Sequence, residues 1–190
     1  MAHRICPWWL GYWLACPLRR YSLNPLRTLD PYVHEGMTVF EPGPGMGFFT
    51  LDLARLVGSG GRVVAVDIQP KMIERLKRRA DKAGLLSRID ARVASADSGQ
   101  LDDLRGRVDF TLAFAMVHEL PDIPHFFSTL AAISRGHASV LMAEPKGHVK
   151  PAEFDAELQA ATDAGFSVVQ RPVISRSPAV LLRRINGHVG

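Results

Sequence analysis

Two short stretches of this sequence carry residue types that can bind a charged ligand or move a proton. The first reads EPGPGMG and places Glu41 just ahead of three alternating glycines. Glycine lets a backbone turn with positive φ and approach a ligand closely, because no Cβ stands in the way. The second reads HELPD and begins at His118, whose imidazole can accept a proton near neutral pH. The first stretch therefore predicts a binding site, and the second a candidate for proton transfer.

The glycine spacing separates two kinds of cofactor. The dinucleotide fingerprint is G-x-G-x-x-G, whereas Gly43, Gly45 and Gly47 alternate here and Phe48 takes the sixth position. Glu41 lies two residues before the first glycine, where its carboxylate suits a ligand with an amino group better than a pyrophosphate. The pattern thus argues against a nicotinamide or flavin dinucleotide. The alternative to a ligand-binding loop is a tight turn that needs glycine only for its own geometry.

The elements that must position these motifs follow from hydrophobic periodicity and from proline and glycine at helix ends. Strands are predicted at 37–42, 61–68, 88–95, 107–117 and 138–145. Helices are predicted at 48–58, 70–84, 123–136 and 151–165. This alternation is typical of parallel strands joined by crossover helices.

The C-terminal part breaks the alternation. The strand-like runs 166–173 and 179–185 lie too close together for a crossover helix. They are predicted to pair as an antiparallel hairpin. The fold class predicted is therefore α/β, with a mostly parallel, seven-stranded sheet that ends in an antiparallel hairpin.

With these elements in place, the chain resembles the class I S-adenosylmethionine-dependent methyltransferases. Their first motif is an acidic residue followed by G-x-G-x-G, and EPGPGMG matches it. The resemblance covers residues 36–185 and includes the terminal hairpin. It implies a Rossmann-like, doubly wound fold and S-adenosyl-L-methionine as cofactor. It also implies that Glu41, Gly43, Gly45 and Gly47 hold the methionine end of that cofactor.

Four further residues belong to the expected cofactor site. Asp67 closes the second strand, where a carboxylate can accept hydrogen bonds from both ribose hydroxyls; the alternative is a helix cap before QPKM. The resemblance implies that Asp97 accepts from the adenine amino group, with a helix cap or turn as its alternative. It also implies that Ile68 packs on the adenine ring and that Phe114 lies near the sulfonium.

The expected acceptor side follows the fourth and fifth strands. HELPD resembles the H-x-x-x-D stretch of relatives similar to ubiquinone and menaquinone methyltransferases, in which the histidine is often structural. His118 is the candidate catalytic residue, as general base or acceptor-orienting group, with a structural or pocket-wall role as the alternative. AEPKGHV adds Glu144 and His148, but no compact ligand spacing supports a metal, so none is predicted. Relatives often carry a proline-glycine-glycine turn before the fifth strand, whereas this chain has SRGH at 134–137.

The composition and the N-terminal sequence limit the partners. Net charge is +4 over 190 residues, and the basic run KRRADK at 77–82 is typical of the solvated face of a helix, so no nucleic acid is expected. Residues 1–35 are predicted as an aromatic-rich extension or lid, and 36–190 as the methyltransferase domain. The aromatic residues of the extension could wall an acceptor pocket, cap the core or touch a membrane surface; they are Trp8, Trp9, Tyr12 and Trp13.

These patterns predict a cytoplasmic enzyme that transfers a methyl group from S-adenosylmethionine to a small-molecule acceptor. An RNA or protein methyltransferase would share the same cofactor site. A non-catalytic partner subunit would bind the cofactor and transfer nothing alone. The sequence predicts neither the acceptor nor the oligomeric state.

Overall fold

The computed structural model describes residues 23–94, 98–174 and 177–185, so the aromatic residues of the extension and Asp97 lie outside the described residues. The described chain falls into two compact units, one ending at Gln100 and the other beginning at Leu101. Within the three described ranges, no helix is long and apolar enough to cross a membrane.

The unit that ends at Gln100 alternates strands and helices. Its strands are β1 (Thr38–Pro42), β2 (Arg62–Asp67) and β3 (Ile89–Val93). Its helices are α1 (Pro25–Leu29), α2 (Thr50–Leu56) and α3 (Pro70–Lys82), followed by a 3-10 turn at Leu86–Arg88. The strands lie in the order β3-β2-β1 and pair in parallel. This is the βαβαβ arrangement that the alternating patterns predicted.

Local sequence signals explain where these elements begin and what they bury. Pro70 stands at the start of α3, where its missing N–H costs nothing, and the Asn24 side chain caps α1 by accepting the Arg27 N–H at 3.3 Å. β1 and β2 are buried along most of their length, as expected of strands in a parallel sheet. The buried face of α3 has helical spacing and consists of Met72, Ile73, Leu76 and Ala80.

The unit that begins at Leu101 carries the remaining strands. They are β4 (Val108–Phe114), β5 (Ser134–Ala143), β6 (Phe166–Gln170) and β7 (Ala179–Arg184). Its helices are α4 (Ile123–Ile133) and α5 (Pro151–Asp163), with a 3-10 turn at Val117–Glu119. A further 3-10 segment, Ser98–Leu104, begins before Leu101 and ends after it. The strand order is β4-β5-β7-β6, with β4 and β5 parallel and β7 antiparallel to both of its neighbours. The predicted C-terminal hairpin is confirmed.

The beginning of β5 differs from the sequence prediction. Helix was predicted through residue 136, but α4 ends at Ile133 and β5 begins at Ser134, which pairs with Val108. The register then shifts further along the pair, as in a β-bulge. His137 lies in this bulged segment and has a φ of 68°. The chain therefore enters β5 through a bulge inside the strand, and not through a separate SRGH turn.

The seven strands form one mostly parallel sheet with antiparallel strands at the C-terminus. The predicted fold class is confirmed. Because the carboxyl ends of parallel strands are where α/β proteins hold ligands, each segment that follows β1, β2, β4 or β5 is a candidate ligand-binding segment.

Candidate functional site

The glycine loop after β1 adopts a conformation that only glycine takes easily. Gly43, Gly45 and Gly47 have φ values of 68°, 54° and 79°. A Cβ at Gly45 would meet nothing within 4 Å, so this side of the loop is open. A Cβ at Gly47 would lie 2.4 Å from Leu76 Cδ1, so this side is closed by a side chain of α3. The glycines thus serve both the turn and close packing.

Asp67, the last residue of β2, holds the loop in place. Its Oδ2 accepts the Gly45 N–H at 3.2 Å, and its Oδ1 accepts the Gln69 N–H at 2.9 Å. The Gly43 N–H continues the pairing of β1 with β2 by donating to the Val66 carbonyl at 2.9 Å. Burial raises the pKa of Asp67 above its ordinary value, and the two backbone hydrogen bonds oppose that rise. A carboxylate has further lone pairs, so both oxygens can still accept from a ligand.

Glu41 is a buried acid with an unused oxygen. It is only 4% exposed, and its Oε2 has no hydrogen-bond partner. The hydroxyl of Thr50, the first residue of α2, is also buried and unpartnered. Burial raises the pKa of Glu41 to about 8; the nearby Thr50 hydroxyl opposes the rise, and the charge of Asp67 adds to it. A buried carboxyl oxygen that lacks a hydrogen-bond partner is costly, and a cationic or N–H donor would relieve that cost at Oε2.

The other predicted cofactor residues have different positions. Ile68 follows Asp67 and is 58% exposed, so its side chain is available for contact with a ligand. Phe114 ends β4 in the other unit and is partly exposed. Asp97 lies outside the described residues. The roles of all three stay predictions.

In the unit that begins at Leu101, Glu144 connects the segments after β4 and β5. Its carboxylate is fully buried, and Oε1 accepts the Val117 N–H at 2.9 Å. Oε2 lies 2.5 Å from Nδ1 of His118. With Nδ1 donating to this carboxylate, Nε2 is the ring atom that can accept a proton. Glu144 was one of several candidates in the sequence, and the structure makes it the direct partner of His118.

The electrostatic surroundings of His118 favour its protonated form. The hydrogen bond that His118 donates to Glu144 raises the pKa of His118 most; burial opposes the rise, and the charges of Glu144, Glu119 and Glu157 add to it. The imidazole of His118 is half-buried, so solvent can reach it, while its hydrogen bond to Glu144 sets its orientation. Its ring also lies edge-to-face with that of His148, with centroids 6.3 Å apart. A histidine held in this way can act as a proton acceptor whose orientation is set by a carboxylate.

Glu157 in α5 is an acidic neighbour that sequence reasoning missed. It is 2% exposed, and its Oε2 has no hydrogen-bond partner. Burial raises the pKa of Glu157 to about 7; the charge of Glu144 adds to the rise, His118 opposes it, and Glu153 adds to it. The signal was in the sequence, because an acid three residues after Phe154 falls on the apolar face of this helix.

Ala115 is a second feature that the sequence did not reveal. It directly follows β4, has a φ of 55°, and donates its N–H to the Ala143 carbonyl at 2.7 Å. Left-handed backbone at a residue with a Cβ costs about 1 kcal/mol. Such strain concentrates at functional sites. Alanine carries no sequence signal for this conformation.

Acidic side chains are frequent around His118, but they do not form a metal site. Among the described residues, no group of three or more histidine, cysteine, aspartate or glutamate side chains is arranged to hold a metal ion.

A sheet of this kind, with a glycine turn after β1 and a carboxylate at the end of β2, defines the class of Rossmann-like nucleoside-binding domains. A family model described as "Methyltransferase domain" matches residues 39–136. The chain therefore belongs to the methyltransferase-domain family. With its solved neighbours, this places it among the class I S-adenosylmethionine-dependent methyltransferases, as the resemblance of EPGPGMG indicated.

Individual relatives agree on the family and differ in what they act on. The ribosomal protein L11 methyltransferase of Pelotomaculum thermopropionicum is 30% identical over 158 residues, covering 83% of this chain and 47% of that protein. The ubiquinone biosynthesis O-methyltransferase of Methylocella silvestris is 32% identical over 119 residues, covering 63% of this chain and 41% of that protein. The chain thus spans about half, or less, of the length of these curated relatives.

One solved structure matches over nearly the whole fold. The crystal structure of a SAM dependent methyltransferase from Aquifex aeolicus has a TM-score of 0.82 and 23% identity, and it covers 94% of this chain and 98% of its own. This likeness is one of fold. Family membership identifies S-adenosylmethionine as the cofactor.

Proposed function

We propose that this protein transfers a methyl group from S-adenosylmethionine to a small-molecule acceptor. The observation that carries the proposal is the buried, unpartnered Oε2 of Glu41 beside a glycine loop with an open side at Gly45. An ammonium group is the donor that such an oxygen lacks, and the methionine part of the cofactor carries one. The unpartnered carboxyl oxygen of Glu41 and the open side of the loop at Gly45 both suit an ammonium group.

In the proposed site, each predicted cofactor residue has a defined task. Glu41 would take the ammonium of the methionine end, and the loop of Gly43, Gly45 and Gly47 would lie against its backbone. Asp67 would accept from the ribose hydroxyls while it continues to hold Gly45. Ile68 would cover the adenine ring, Phe114 would lie near the sulfonium, and Asp97 would accept from the adenine amino group. When bound, the cofactor supplies an activated methyl group.

His118 is the proposed acceptor-side residue. Glu144 holds its Nδ1, so Nε2 would take the proton that an acceptor hydroxyl or amine releases on methylation. Alignment of the acceptor and exclusion of water supply most of the rate in such a displacement. A His118→Ala variant should therefore lose turnover and keep its affinity for the cofactor. If the variant turned over as fast as the wild type, His118 would have only a structural role.

The small-molecule acceptor rests on the scattered distribution of the basic residues in the sequence. RNA or protein acceptors are the alternative, since one curated relative is named for a ribosomal protein and another for ribosomal RNA. We also propose that residues 1–35 form a lid on a methyltransferase domain at 36–190. The cytoplasmic location of the protein stays a prediction. Deleting residues 1–18 should lower turnover and leave cofactor affinity intact; unchanged turnover and acceptor selectivity would refute the lid.

Calorimetric titration of the purified chain tests the proposal directly. S-adenosylmethionine, S-adenosylhomocysteine and NAD are titrated in parallel. Binding of both sulfur ligands with none for NAD supports the proposed site. Binding of NAD alone refutes it. If the cofactor binds, turnover on small molecules, RNA and protein separates the acceptor classes, and no turnover with any of them would favour the non-catalytic partner.

A further inference from the structure

Helix α3 reaches the glycine loop through two side chains. Arg79 donates from Nη1 to the carbonyl of Met46, 33 residues away in the chain, and this contact is partly buried. Leu76, one turn earlier, fills the space that a Cβ at Gly47 would need. Arg79 belongs to the run KRRADK, which the sequence predicted as a solvated helix face. It departs from that prediction by turning toward the loop.

The Met46 carbonyl is the part of the loop that β1 and β2 do not hold. The Gly45 N–H donates to Asp67 at 3.2 Å, and the Gly47 N–H closes a turn on the Pro44 carbonyl at 2.9 Å. The Met46 carbonyl lies between these two N–H groups in the chain. A hydrogen bond from a guanidinium is roughly twice as strong as one between neutral groups. The Met46 carbonyl and the Gly47 N–H belong to one peptide group, so Arg79 adds a second hydrogen bond, from α3, to a peptide that the turn holds by its N–H.

We propose that Arg79 is a positioning residue for the cofactor, which holds the glycine loop in its binding conformation from α3. The inference rests on the proposed function, because it assumes that this loop takes the methionine end. A loop that is already ordered loses less conformational freedom when a ligand binds, so its affinity is higher. Without Arg79, the Met46–Gly47 peptide keeps the hydrogen bond from its N–H to the Pro44 carbonyl but loses the one to its own carbonyl, so the ligand must order a less constrained loop.

Arg78 provides a matched control on the same helix. Its side chain is 75% exposed and pairs with Glu74 at 2.5 Å across one turn. Arg78→Ala and Arg79→Ala remove the same chemical group and the same charge from adjacent positions. Only the second removes the hydrogen bond to the loop. Any loss that comes from net charge or helix propensity appears in both variants.

The experiment compares two ligands by calorimetry on the full chain. S-adenosylhomocysteine carries both the nucleoside and the amino-acid end, whereas 5′-methylthioadenosine carries only the nucleoside end. Arg79→Ala should raise the Kd of S-adenosylhomocysteine about tenfold, as expected for one lost hydrogen bond to a charged group. It should leave the Kd of 5′-methylthioadenosine within about twofold, and Arg78→Ala should change neither. Arg79→Lys keeps a donor and should recover part of the loss.

Each outcome decides a different point. Equal losses for the two ligands would mean that Arg79 supports the fold in general, and this would overturn the inference. An unchanged Kd of S-adenosylhomocysteine in Arg79→Ala would overturn it as well. If the wild-type chain binds neither ligand, the proposed function itself fails. If Arg79→Ala does not fold, Arg79→Lys and Arg79→Gln make the same comparison, and selective weakening by glutamine with recovery by lysine supports the inference.

Discussion

Glu41 offers a direct test of the electrostatics of the proposed cofactor site. Its carboxyl group is 4% exposed, and burial raises its pKa from 4.5 to about 8. Glutamine has nearly the same shape and does not ionise. Glu41→Gln therefore removes one titration from the folded protein with little change in packing.

The sign and size of the effect follow from proton linkage. Between pH 5 and 8, the folded chain keeps the proton on Glu41, while the unfolded chain, with a pKa near 4.5, releases it. The free energy of unfolding therefore falls as pH rises, by about 1.4 kcal/mol per pH unit from this group. From pH 5 to pH 7 this amounts to about 3 kcal/mol. Glu157, with its pKa raised to about 7, adds a fall of the same sign over this range in wild type and variant alike.

The assay is urea unfolding followed by circular dichroism at pH 5, 6 and 7, in the absence of cofactor. The free energy of unfolding of Glu41→Gln should fall less steeply than that of wild type, so that the difference between them changes by about 1.4 kcal/mol per pH unit in favour of the variant. Glu74→Gln is the control, because Glu74 is exposed on α3. Parallel curves for wild type and Glu41→Gln would refute the argument, since they would mean that Glu41 is ionised in the folded chain throughout this range.

Three further substitutions each test a residue inside one of the two units. Asp67→Ala should weaken S-adenosylmethionine binding by at least about 1.5 kcal/mol in calorimetry, and unchanged affinity would remove Asp67 from the site. Gly47→Ala should lower the melting temperature, because its methyl group meets Leu76 at 2.4 Å and its φ is 79°; an unchanged melting temperature would show that the loop adapts freely. Glu144→Ala should lower the free energy of unfolding by about 1–3 kcal/mol, since it leaves the buried Val117 N–H without an acceptor; stability equal to wild type in urea unfolding would contradict this.

Much of the fold could be predicted from local patterns. The strands and the helix α3 were predicted within a few residues, because apolar periodicity, an initial proline and terminal glycine act locally. The bulge at the start of β5 could not be predicted, because it depends on how Ser134 pairs with Val108, more than twenty residues away. The apolar run and the helical pattern of α4 give no sign of it.

The sequence by itself determined that the loop after β1 needs glycine, that Glu41 precedes it and that Asp67 follows the next strand. These features lie in residue type and spacing, and a positive φ is a property of a single residue. Only the tertiary structure decided which polar groups find a partner. The contact of Arg79 with the loop spans 33 residues, and that of His118 with Glu144 spans 26. Such pairs, like the unpartnered oxygen of Glu41, depend on how distant segments pack, and no local pattern encodes that.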